Sequence, residues 1–273
     1  MNDSSPSLPL NALTAFTTLY PKERPSWQRR PQTLRLADYD YETVGIELLD
    51  GKVVLRLSRD CPFDEIAPGY LALFVYHLAQ LCPDVPVAYI PGYGHPIVAT
   101  LPLELPLEAP VEAWTSVIEA TLPRLEEALA RQNDAADQFK KDDDFRWNSP
   151  LPDIEVTPED LAEIGSLEAE TVLGAERFGR EELDRQTDEL ISKLRTLRVI
   201  RPDRNWVRCL RHPDLNGGFF EGAYVELFTA SQLVVTLNAI YDGNTYNTTL
   251  VQRACGEALF ARIAARAREL LDG

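Results

Sequence analysis

The sharpest pattern in the chain is an alternation. Val44, Ile46 and Leu48 precede Asp50-Gly51, and Val53, Leu55 and Leu57 follow it. Asp-Gly supplies the two positive-φ positions of a type I′ turn, whose two-residue loop fixes the strand register. Leu48 then faces Val53, Ile46 faces Leu55 and Val44 faces Leu57. All six side chains share one face, with Glu47 and Arg56 on the other. Thr33-Leu34-Arg35-Leu36 adds a strand beside this hairpin.

From Ala67 the period becomes helical. Leu71, Phe74, Leu78 and Leu81 form one stripe to Leu81, Pro68 suits the first turn, and Tyr70, Leu73, Val75 and Tyr76 widen the stripe almost all round. Such a helix is enclosed in a core or lies at an interface. A second hairpin is expected from Val85–Ile90 and Ile97–Leu101 around Pro91-Gly92-Tyr93-Gly94-His95-Pro96. Pro110 opens a helix that buries Val111, Trp114, Val117 or Ile118, Leu125 and Leu129, with Pro123 as a bend.

With Leu10–Phe16 as a first helix, residues 8–131 read α-β-β-β-α-β-β-α. This order, with strands followed by a long apolar helix, resembles that of type III secretion chaperone-like domains, including YbjN-like proteins. The resemblance implies an α/β sandwich without catalytic residues, often dimeric, that binds a segment of another protein.

The C-terminal part reads as a helix over 181–199 with Leu183, Leu190, Ile191, Leu194 and Leu197 inward. Three antiparallel strands are expected at 205–210, 223–228 and 232–240, the last ended by Asp242-Gly243-Asn244, before a helix over 248–271. In that last helix Leu250, Ala254, Ala258, Leu259 and Ile263 face inward and Arg262, Arg266 and Arg268 face water. The fold class is therefore α+β: a chaperone-like domain over 1–132, an acidic proline-containing linker over 133–157, and a second α+β domain over 158–273.

Charge sharpens this division. The 273-residue chain has a formal charge of −16, but residues 1–133 carry −7, 134–176 carry −10 and 177–273 carry +1. Broad polyanion binding is disfavoured by such a balance. Asp142-Asp143-Asp144 lacks the spacing and turn glycines of an oxygen-ligand loop and reads as solvated linker. Residues 60–123 contain no lysine or arginine, only acids such as Asp60, Asp64, Glu104, Glu108, Glu112 and Glu119. An acidic and apolar N-terminal surface suits a basic or amphipathic protein partner, with Tyr70, Phe74, Tyr76, His77, Tyr93 and His95 as the candidate contacts. A homodimer is a further expectation.

One stretch is basic. Lys193, Arg195, Arg198, Arg201, Arg204, Arg208 and Arg211 lie within 19 residues, opposed only by Asp203. Helix followed by Val199–Val207 looks like the recognition helix and wing of a winged-helix domain, which would set the first three against phosphates near the helix and Arg201 and Arg204 against the backbone from the wing. Docking onto the protein's own acidic linker and a plain solvated surface are the other readings.

Chemistry-bearing motifs are sparse. Cys61, Cys82, Cys209 and Cys255 form no CxxC, and the first two flank a helix of ~14 residues that separates them by roughly 20 Å, so reduced thiols and a cytoplasmic setting are expected. No stretch is apolar enough for a bilayer. His212-Pro213-Asp214 with Glu226 is similar to the acidic set of restriction-like nucleases, but the expected lysine is Phe228. No catalytic residue, metal ligand or cofactor is assigned. The leading expectation is a non-enzymatic protein-binding module of the chaperone, adaptor or complex-subunit kind; the alternatives are a nucleic-acid accessory protein acting through 193–211 and a metal-dependent hydrolase with an unrecognised site.

Overall fold

In the computed structural model the described residues are 8–21, 26–27, 33–35, 42–61, 68–90, 97–146, 149–167, 180–201, 205–210, 212–215 and 224–273. The chain forms two compact units, Met1–Asp64 with His77–Ala135, and Glu65–Tyr76 with Ala136–Gly273. The class is α+β.

The first unit contains helix α1 (Leu10–Leu19), strands β1 (Ser26–Trp27), β2 (Thr33–Arg35), β3 (Glu42–Leu49) and β4 (Lys52–Arg59), then β5 (Val87–Tyr89), β6 (Ile97–Pro102) and helix α3 (Val111–Ala130). Helix α2 (Pro68–Leu81) intervenes, and the division between units falls within it, after Tyr76. The sheet is antiparallel in the order β1-β2-β3-β4-β6-β5, one short strand more than the sequence order anticipates.

The hairpin register is Leu48 against Val53, Ile46 against Leu55 and Val44 against Leu57. Its turn has Asp50 at φ 49° and Gly51 at φ 77°, the type I′ signature. Across the sheet, Leu55 sits between Ile46 and Leu101, and Leu57 between Val44 and Ala99. Each buried aliphatic on this face is worth about 1.5–3 kcal/mol, and a one-residue slip would turn them all outward. On the opposite face Arg56 lies between Gly45 and Thr100 and pairs with Glu47 at 3.5 Å. Helix α3 packs on β4 and β6, and α1 on α3, burying Trp114, Ile118, Leu125 and Leu129 together with Ala12, Ala15 and Phe16.

The second unit corrects the sequence reading. Among its described residues no element is a strand. The expected strands at 205–210 and 223–228 are short 3-10 turns, Val207–Cys209 and Val225–Leu227. The third is the core of helix α7 (Ala230–Tyr246), whose Leu233–Ile240 run is buried on every side. A continuously apolar run has no period to separate strand from helix. Here Thr229 and Gln232 decide it, because their side chains and backbone N–H groups form a reciprocal capping box that starts the helix. Asp242-Gly243 therefore lies inside a helix, and a Cβ on Gly243 would stand 2.7 Å from Leu250 and 2.8 Å from Leu210.

The other helices are α5 (Pro158–Gly165), α6 (Arg180–Thr196), α8 (Leu250–Gly256) and α9 (Leu259–Asp272); α8 and α9 pack on α7, α5 on α9 and α6 on α8. The expected single last helix breaks at Ala258, which takes a left-handed φ of 52°. Helix α4 (Gln132–Arg146) occupies much of the expected 133–157 linker. Asp142, read as solvated, is buried there, its side chain only 4% exposed and 3.3 Å from the Arg208 guanidinium. No helix among the described residues is long and apolar enough to cross a membrane.

Candidate interaction surfaces

Of the candidate contacts on α2, Tyr70 and Tyr76 are half-buried and packed against other aromatic rings of their own unit. Phe74 and His77 are buried. Tyr70 packs edge-on against Phe139, and Tyr76 packs edge-on against Tyr246 at 5.3 Å while its hydroxyl accepts a hydrogen bond from the Asn205 amide. Burial pushes the Tyr76 and Tyr246 phenols above their ordinary range, so both stay neutral and act as packing groups. Tyr93 and His95 lie outside the described residues.

The basic stretch is engaged from within the chain. Arg198 donates through its backbone N–H and its Nε to the Glu163 carboxylate at 3.1 and 2.7 Å, and Arg208 pairs with Asp142. Asp142 lies within the expected 133–157 linker, in α4, and Glu163 lies beyond it, in α5. No wing strand forms among the described residues: Trp206 is buried and Val207–Cys209 is a 3-10 turn. Lys193 and Arg195 are exposed near the end of α6, Arg201 is half-buried, and Arg204 and Arg211 lie outside the described residues.

Two polar side chains one turn apart on α7, missed by the sequence reading, hold this segment. Asn238 accepts from the Arg201 N–H at 2.6 Å and donates to the carbonyls of Val199 and Val234 at 2.7 and 2.9 Å. One carboxylate oxygen of Asp242 accepts from the N–H groups of Trp206 and Val207 at 3.1 and 3.2 Å. Burial raises the Asp242 pKa against the lowering by those two bonds. Their signal was legible as two polar residues at helical spacing in an apolar run.

The groups with potential chemistry are occupied. Asp214 donates its backbone N–H to His212 Nδ1 at 3.1 Å, so Nε2 carries the ring proton and donates to the Ser149 carbonyl at 2.7 Å. Glu226 forms a two-pronged pair with Arg262 at 3.0 and 3.1 Å, and its own backbone N–H, together with Arg262, holds its pKa below the usual range. Burial pushes the Cys209 thiol up to about 11 and the Cys255 thiol to about 12, so neither supplies a thiolate near neutral pH. Among the described residues no group of three or more His, Cys, Asp or Glu side chains is placed to hold a metal ion.

Among the described residues of the first unit, large exposed apolar side chains occur at the end of the sheet where β6 gives way to α3. There Leu103 donates its N–H to the Val53 carbonyl at 2.7 Å, Lys52 reaches Glu104 at 3.8 Å, and Asn11 donates to the Ala109 carbonyl at 3.0 Å. These links gather the β3–β4 turn, the 103–110 connection and the starts of α1 and α3. Leu10, Leu49 and Leu107 are 75%, 48% and 44% exposed, beside exposed Pro102, Pro106 and Pro110. Asp50, Glu104, Glu108 and Glu112 are exposed around them, with Lys52 the one described cation there.

Comparison of the chain with protein-family models, curated proteins and solved structures finds no match.

Proposed function

We propose that the protein is a protein-binding module, of the chaperone, adaptor or complex-subunit kind, and that it docks through the leucine-and-carboxylate end of its first unit. The observation that carries this reading is that Leu10, Leu49 and Leu107 are all exposed, in segments that the Asn11–Ala109, Lys52–Glu104 and Leu103–Val53 links tie to the same end of the unit. Each costs free energy in water that a partner would recover, roughly 1.5–3 kcal/mol for a fully buried leucine.

The element order resembling secretion-chaperone domains agrees with this reading, and a cytoplasmic setting suits its four free thiols. Surface substitution tests it. Tagged wild-type protein should retain a stoichiometric partner from its native host, and Leu10→Asp/Leu49→Asp/Leu107→Asp, with unchanged circular dichroism, should lose that partner. Equal retention by both overturns the proposed surface.

A further inference from the structure

We draw no further inference here: the strongest candidate, the surface of the second unit where Tyr224 and Leu227 stand exposed at the Val225–Leu227 turn beside the Glu226–Arg262 pair, is an apolar patch for which nothing in the structure shows what covers it.

Discussion

Asp242 shows how one side chain can set a segment's path. Its carboxylate accepts two backbone N–H groups that begin the 3-10 turn at Val207. Asp242→Ala leaves both donors without this acceptor and should cost about 1–3 kcal/mol, whereas Asp242→Asn keeps an acceptor and sheds a buried charge. Because burial raises the folded-state pKa of Asp242, the folded protein binds this proton more readily than the unfolded chain. The group therefore lowers stability at neutral pH, and that penalty is relieved as pH falls through the raised pKa toward the ordinary aspartate range. Urea unfolding as a function of pH should show this relief in the wild type and its loss in Asp242→Asn. Equal pH slopes in the two proteins would contradict the assignment. Gly243 is the second case. A helical Gly→Ala exchange ordinarily gains about 1 kcal/mol, but here the new methyl would press on the buried Leu210 and Leu250 side chains at 2.8 and 2.7 Å. Overpacking of about 1–3 kcal/mol outweighs propensity, so Gly243→Ala should lower the denaturation midpoint.

At the scale of elements, the two units differ in what their sequences disclose. The hairpin was legible because alternation and Asp50-Gly51 agree, and strand period and turn chemistry then specify one register. In α7 the informative letters were the caps rather than the apolar run: Thr229 and Gln232 mark a helix start, and Asn238 and Asp242 mark one of its faces. Thr229→Ala should cost about 1 kcal/mol by removing that cap, read from the urea midpoint; no change would mean the box contributes nothing. The α8–α9 break depends on a non-glycine residue at positive φ, for which local sequence gives no signal. Ala258→Gly should relieve that strain and raise stability by about 0.5–1 kcal/mol, with a higher midpoint in the same experiment. Lower stability would show that the left-handed conformation is not held in solution.

Over the whole molecule, charge is partitioned rather than uniform, and much of its meaning lies in long-range pairing. The acidic middle segment reaches the arginines of 193–211 through Glu163–Arg198 and Asp142–Arg208, pairs that are 35 and 66 positions apart in sequence. Spacing along the chain cannot reveal such pairs. The same holds for the candidate site. Tyr70, Phe74 and Tyr76 looked like contact residues because their helix is apolar nearly all round, yet internal packing uses that face. Leu49 was partly legible, since alternation turns it outward once Leu48 is inward. Leu10 and Leu107 join it only through the Asn11–Ala109 and Leu103–Val53 links. The central claim is that partners dock at this end of the first unit. Leu227, 74% exposed on the second unit, supplies the control. Calorimetric titration of the native partner into Leu107→Asp and Leu227→Asp tests the claim most directly: affinity should fall about tenfold or more in the first and stay unchanged in the second, while unchanged affinity in the first or a matching loss in the second would contradict it.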